Sequence, residues 1–204
     1  MVKWLVIFTK EPRAGTTKTR LARDAGVVPA ASWQRRQNAS LIRRIGYDRR
    51  WKTVIAANPP REGVPGRCWP ATIDLVPQGR GDLGQRMKRI FSDFPPGPVI
   101  VAGSDIPGIT PGSIEKAFRA LQDADAVFGP SPDGGFWLVG LKRVRKTPPS
   151  IFENVRWSSE HALKDSLSTI PGWEIAYADT LDDMDLAEDI ERAAYRGKLI
   201  GNWI

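Results

Sequence analysis

A three-layer α/β/α arrangement around a mostly parallel sheet is predicted by the way apolar runs and helical segments take turns along the chain. Short apolar, β-branched runs recur at residues 2–8, 53–57, 72–76, 98–102 and 126–128, each the length of one buried strand. Helix-period segments lie between them at 30–47, 83–94 and 111–121. Strands alternating with helices imply parallel pairing with both sheet faces covered. The first run ends at Lys10 and Glu11. The segment 111–121 carries its own start signal, Thr110 as N-cap and Pro111 in the first helical position. After Phe128 the alternation breaks, because Gly134 and Gly135 lead into the apolar run 136–141 with no helix before it. That break predicts an antiparallel or mixed insertion. A further helix is expected from Ser158, whose hydroxyl can cap it, and a last one over 186–195. With no repeat, low-complexity stretch or long linker, residues 1–204 read as a single domain.

A chain of 204 residues is long enough to bury about 70% of the surface its unfolded state exposes. At 41% hydrophobic and 26% charged residues, the composition is that of an ordinary globular protein. Cys68 stands alone, which rules out an intramolecular disulfide. The apolar run 4–8 is too short for a signal-peptide core or a membrane span. A cytoplasmic location without a membrane span is therefore expected. The 30 Lys and Arg against 23 Asp and Glu give a net charge of +7, which suits an anionic partner. Arginine pairs at Arg35-Arg36, Arg43-Arg44 and Arg49-Arg50 read as a solvated helix face, and no nucleic-acid-binding motif accompanies them. The expected partners are thus a nucleotide or nucleotide-sugar and a small-molecule acceptor rather than nucleic acid. Homo-oligomer formation is left open.

In an open parallel sheet, ligands bind at the carboxyl ends of the strands, so the loops after strands are where chemistry is sought. The first such loop runs from Thr9 and Lys10 through Arg13 and Gly15 to Lys18, Thr19 and Arg20. A turn feeding a helix start offers backbone N–H groups to phosphate, and the loop's cations add to this. It lacks the Gly-Lys-Ser/Thr ending of a Walker loop and matches no dinucleotide fingerprint. Phosphate contact by Lys18 and Arg20 is expected, with a solvated basic loop as the plainer alternative. The fourth run ends in Gly103, Ser104, Asp105, Ile106 and Pro107, which places one carboxylate at a strand tip. Hard divalent cations take oxygen ligands, and Mg²⁺ commonly uses one or two carboxylates with phosphate oxygens and water. Asp105 is accordingly the first candidate metal ligand; the alternative is a turn residue before Pro107. Asp183 and Asp185 are candidate second ligands, or complement a helix dipole. Gln78, Gly79, Gly81 and Asp82 lie between strand and helix, where glycines permit close approach of a base or ribose. Asp133, Gly134 and Gly135 form either a tight hairpin turn or a substrate-contacting loop.

Other residues carry weaker signals. His161 is the sole histidine, which excludes a His-rich zinc site and leaves it a structural or surface residue. Ser158 and Ser159 lie too close to His161 in sequence for a catalytic triad, and no nucleophile elbow surrounds them. Trp4, Trp137 and Trp157 read as core or pocket-wall aromatics.

Taken as an ordered set, these loops resemble a family of bacterial GT-A-like proteins of largely unassigned function, often labelled glycosyltransferases and in some members linked to arsenosugar biosynthesis. The resemblance runs nearly end to end. It is carried by Phe8-Thr9-Lys10 with Pro12, Gly15 and Lys18-Thr19-Arg20-Leu21, by Gln78-Gly79 with Gly81-Asp82-Leu83-Gly84, and by Gly103-Ser104-Asp105-Ile106-Pro107. Gly129-Pro130, the stretch 133–141, Trp157-Ser158 and Asp183-Met184-Asp185-Leu186 complete it. The first loop and Asp105 also resemble those of phospholactate and molybdenum-cofactor guanylyltransferases. The resemblance implies the Rossmann-like GT-A (nucleotide-diphospho-sugar transferase) fold, a nucleotide in the first-loop cleft, and Mg²⁺ or Mn²⁺ on Asp105 with Asp183 or Asp185. It makes Asp105, Asp133 and Lys18 the candidate catalytic residues. Thr9, Lys10, Gly15, Lys18, Arg20, Gln78, Gly79, Gly81 and Asp82 become candidate nucleotide contacts, and Asp133, Gly134, Gly135 and Trp157 candidate substrate contacts. Two features depart from the pattern: Gly103 stands where an Asp-X-Asp triplet would begin, and the Gly-X-Gly-Thr-Arg loop is reduced to Gly15 and Arg20. The implied activity is glycosyl transfer from a nucleoside diphosphate sugar. Nucleotidyl transfer from a nucleoside triphosphate to a phosphorylated small molecule is the rival, and a non-enzymatic nucleotide or nucleic-acid binder the third reading.

Overall fold

A computed structural model describes residues 1–58, 68–144 and 146–182. Among these residues seven strands form one sheet: β1 (Trp4–Lys10), β2 (Lys52–Asn58), β3 (Asp74–Pro77), β4 (Val99–Gly103), β5 (Ala126–Pro130), β6 (Phe136–Leu141) and β7 (Ile175–Tyr177). Their order is β3-β2-β1-β4-β6-β5-β7. All pairings are parallel except those of β6, which runs antiparallel to both β4 and β5. The insertion expected after Phe128 is therefore this one reversed strand. Five helices accompany the sheet among the described residues: α1 (Thr19–Ala25), α2 (Val27–Ile45), α3 (Leu83–Asp93), α4 (Pro111–Ala120) and α5 (Ala162–Ser168).

The two-residue alternation of β1 explains the three layers. Leu5 and Ile7 point to one face, where they join Leu41, Ile42 and Ile45 of α2 and Ile114, Ala117 and Phe118 of α4. Val6 and Phe8 point to the other, where they join Met87, Ile90 and Phe91 of α3 and Ala162 of α5. A strand apolar on both sides is stable only between two helical layers, since each face must be removed from water.

Helix starts follow local chemistry where a cap exists. Thr110 caps α4 by accepting from the Ser113 N–H, with Pro111 in the first turn, as the sequence predicts. Asp82 caps α3 with a reciprocal bond from its own N–H to Gln85 Oε1. The expected cap at Ser158 is not formed. Ser158 adopts a left-handed backbone (φ 58°), and α5 starts at Ala162 with no side-chain cap on its N-cap residue, His161. The three-residue strand β7 gave no signal, being too short to show a period. Residues 186–195, expected to be helical, lie outside the described residues. Among the described residues, no helix is long and apolar enough to cross a membrane.

Candidate active site

The strand order places β1 between β2 and β4, so the chain departs in opposite directions from the β1/β4 boundary. In an open α/β sheet this switch leaves a crevice beyond the carboxyl ends of the two strands. A cleft of about 570 Å³ occupies that position. Phe8, Thr9 and Lys10 line it from β1, and Gly103, Ser104 and Asp105 from the end of β4.

Asp105 and Lys18 pair in the wall of the cleft. Lys18 Nζ lies 3.0 Å from Asp105 Oδ2, with the lysine side chain only 4% exposed and the aspartate side chain 41% exposed. The ammonium also sits 5.2 Å from the centroid of the Trp33 ring. Lys18 is held there by its backbone, which takes a left-handed conformation (φ 49°, ψ 49°) at the N-cap of α1. A non-glycine residue in that region costs about 1–3 kcal/mol and is concentrated at functional sites. Lys18 and Ser158 are two such residues, and both line the cleft.

Polar groups hold the carboxylate and tie together the strand ends around it. Gln34, buried on α2, donates its Nε2 to Asp105 Oδ1 at 2.9 Å and to Asn38 Oδ1 at 2.9 Å. The Ser104 hydroxyl donates to Thr9 Oγ1 at 2.9 Å, tying the β4 tip to β1. Gln78 donates to the carbonyls of Thr9 (2.9 Å) and Ala56 (2.8 Å), so both its N–H groups are spent on the strands. Its Oε1 accepts from Arg86 Nη1 at 3.2 Å. Gln78 thus orients a cation on the opposite wall, and its amide N–H groups are committed to backbone.

The other predicted contacts divide. Lys10, Lys18, Gln78 and Asp82 line the cleft together with Trp157. Asp82 also serves as the α3 cap. Gly15, Gly79 and Gly81 are not among the lining residues. Gly79 and Gly81 take φ of +81° and +102°, a backbone conformation that favours glycine, and lie against the side chains of Arg89 and Gln85. Asp133, Gly135 and Trp157 line a second pocket of about 260 Å³, which shares Leu83, Trp157 and Ser158 with the cleft. Gly134 packs its backbone against Glu160 and is not among the lining residues. The side chain of Arg20 and the residues Asp183 and Asp185 lie outside what the structure describes. Sequence reasoning missed Gln34 and Arg86. Gln34 had no signal beyond being a polar residue on the apolar stripe of a helix; Arg86 stands four residues after the α3 cap, one turn along the face that the capping loop begins.

The strap carrying Trp157 is anchored by charge. Arg156 Nε and Nη2 donate to both Asp165 oxygens at 2.8 Å, and the Arg156 N–H adds a bond to Oδ2. These bonds hold the Asp165 carboxyl well below the ordinary carboxylate range. A depressed folded-state value stabilises the fold at pH above the unfolded value, and this stabilisation is lost as pH falls. Arg156→Gln should therefore lower stability by a constant amount above about pH 4, the ordinary aspartate value, with the gap to wild type closing as pH falls below it. Parallel acid-unfolding curves across that range would show that the pair contributes nothing.

The family model described as "Uncharacterized protein conserved in bacteria (DUF2064)" matches residues 41–159, a span that includes Asp105, Asp133 and Trp157. The chain belongs to this family. Lys18 and Gln34 precede the matched span. No curated protein matches the chain. Among solved structures, it is similar to a protein from Desulfovibrio desulfuricans G20 provisionally described as a nucleotide-diphospho-sugar transferase. That match has 25% identity and a TM-score of 0.83, covering 100% of this chain and 90% of the other. It is also similar to 4-diphosphocytidyl-2C-methyl-D-erythritol synthase from Anaerococcus prevotii DSM 20548 (10% identity, TM-score 0.56, 96% of each chain). A third is the inositol-1-phosphate CTP transferase from T. maritima (15% identity, TM-score 0.53, 97% of this chain and 95% of that one). At such identities the latter two share the fold alone. The fold is that of the nucleotide-diphospho-sugar transferases, as the sequence resemblance implies.

Proposed function

We propose that the protein is a transferase that uses a nucleotide-activated donor, with glycosyl transfer from a nucleoside diphosphate sugar to a small acceptor as its reaction. The observation that carries this reading is the nearly buried Lys18 ammonium set against Asp105 at the sheet's switch point. A fixed cation in a partly desolvated cleft stabilises developing negative charge far better than one in water, because no solvent must reorganise around it. Lys10 and Arg86 bring further positive charge to the same cleft. The D. desulfuricans relative, described as acting on nucleotide-diphospho-sugars, supports the donor class.

Asp105 suits a divalent cation. Among the described residues there is no cluster of three acidic, histidine or cysteine side chains, so Asp105 would be the carboxylate ligand, with phosphate oxygens and water around it. Asp183 or Asp185 is proposed as the second carboxylate. Mg²⁺ or Mn²⁺ held there would neutralise the departing diphosphate. Gln34 keeps Oδ1 oriented, and the Lys18 ammonium sets a counter-charge beside Oδ2.

Nucleotidyl transfer is the second reading, favoured by Gly103. A Cβ at that position would meet nothing closer than 3.7 Å, so the absence of an Asp-X-Asp carboxylate there is not imposed by space. Products separate the two. Nucleoside diphosphate should appear from a panel of nucleotide sugars in the presence of Mn²⁺ and cell metabolites. Pyrophosphate released from a nucleoside triphosphate, with no nucleotide sugar ever consumed, would overturn glycosyl transfer. Thermal shift tests the metal in the same samples. A ligand at about 100 times its Kd stabilises by about 2.7 kcal/mol, or roughly 5–10 °C for a domain of this size. Metal should enlarge the shift given by the cognate nucleotide in wild type but not in Asp105→Asn. That variant should also melt lower without ligand, because the nearly buried Lys18 loses this counter-charge.

A further inference from the structure

We propose that the smaller pocket is the acceptor subsite and that it takes a non-phosphorylated hydroxyl compound with an apolar face. This rests on the reading of the adjoining cleft as the donor site. At about 260 Å³ the pocket lies just below the usual size of ligand sites, and it adjoins the cleft, with which it shares Leu83, Trp157 and Ser158 as lining. A molecule seated in it is thus next to whatever the cleft activates. Its walls divide by chemistry. Leu83, Ile106, Phe136 and Trp157 supply an apolar and aromatic side, while Ser131, Ser158 and Ser159 supply hydroxyls. Asp133 is the one ionisable group among its described lining residues, and none of those is Lys, Arg or His.

That charge pattern selects the ligand. Phosphate recognition relies on arginine, lysine or convergent N–H donors, and a carboxylate in the same small space repels it. An alcohol is suited, because a carboxylate accepts its hydrogen bond and a ring face or alkyl surface packs on the aromatic wall. Asp133 is held for the task. Its Oδ1 accepts the Gly135 N–H at 2.9 Å, and the turn is docked by the Leu163 N–H on the Gly134 carbonyl at 3.0 Å. In the transfer step the acceptor oxygen forms a bond to the anomeric carbon as that carbon's bond to the diphosphate oxygen breaks. The diphosphate leaves with the electron pair, and the hydroxyl proton passes to the Asp133 carboxylate and on to water. A phosphorylated acceptor, which nucleotidyl transfer requires, has no counter-charge in this pocket.

The test uses a matched pair of probes, phenyl β-D-glucoside and its 6-phosphate, titrated into the full chain by calorimetry with and without nucleoside diphosphate. The uncharged glucoside should bind at least about tenfold more tightly than its phosphate. Asp133→Asn preserves the turn, since an amide oxygen still accepts from Gly135, so it should fold as wild type and bring the two probes to within about threefold. In the turnover assay the same variant should lose about 100-fold or more, the usual contribution of a positioned base. Tighter binding of the phosphate, no binding of either probe, or discrimination unchanged by Asp133→Asn would overturn the proposal. If the pair is discriminated as expected but no nucleotide binds, the donor reading fails while the subsite stands.

Discussion

Lys18→Ala should reduce turnover by about 100- to 1000-fold, the loss typical of removing one preorganised charge-stabilising donor. The expectation follows from an asymmetry in burial. The Lys18 side chain is 4% exposed and its partner 41%, so the lysine is the fixed element and the carboxylate the more solvated one, and both line the cleft. Removing Lys18 leaves Asp105 solvated and still bonded to Gln34, so the fold should lose about 1–3 kcal/mol, mostly from the buried lysine stem. Binding should show the same selectivity. Affinity for nucleoside diphosphates should fall by about tenfold or more, in keeping with about 1.5–3 kcal/mol for a charged hydrogen bond, while the parent nucleosides are bound as before. Equal losses for nucleoside and diphosphate, read by calorimetry, would mean that the lysine maintains the shape of the cleft and does not read phosphate.

Gly134→Ala, in the turn that carries Asp133, should lower stability by about 2–4 kcal/mol and the melting temperature by roughly 5–15 °C. The glycine has φ +83°, and a Cβ there would lie 2.2 Å from the Glu160 carbonyl oxygen and 2.6 Å from its carbonyl carbon and Cα. Those are backbone atoms, so no rotamer change relieves the contact. The turn must lift from the 160–163 segment and lose the Leu163 bond, which would displace Asp133. Gly15→Ala is the control. Its φ is +82°, nearly the same, but nothing lies within 4 Å of the added carbon, so it should cost only the conformational preference, about 1–2 kcal/mol. Equal melting temperatures for the two variants would show that the contact with Glu160 is not what requires glycine at 134.

The alternation of apolar runs and helical periods was enough to predict the layered parallel sheet, because a strand apolar on both faces has no stable place except between two helical layers. The cap of α4 at Thr110 and the reversed strand after Phe128 were equally legible, since capping and the lack of a crossover helix are properties of a few adjacent residues. Position after a strand likewise singled out Thr9, Lys10, Lys18 and Asp105, because carboxyl ends of parallel strands converge wherever the chain folds this way. The sequence was uninformative about how those loops meet. Only the fold brings Lys18 onto Asp105, 87 positions later, and sets Gln34 of α2 against the same carboxylate. Only the tertiary structure shows that Gln78 spends its N–H groups on Thr9 and Ala56 and that Gly79 and Gly81 take left-handed backbone beside Arg89 and Gln85. The division of Asp105 and Asp133 between two adjoining pockets is decided the same way. Hydrogen bonding and charge pairing across the sheet depend on distances between residues far apart in the chain, and no local pattern encodes those.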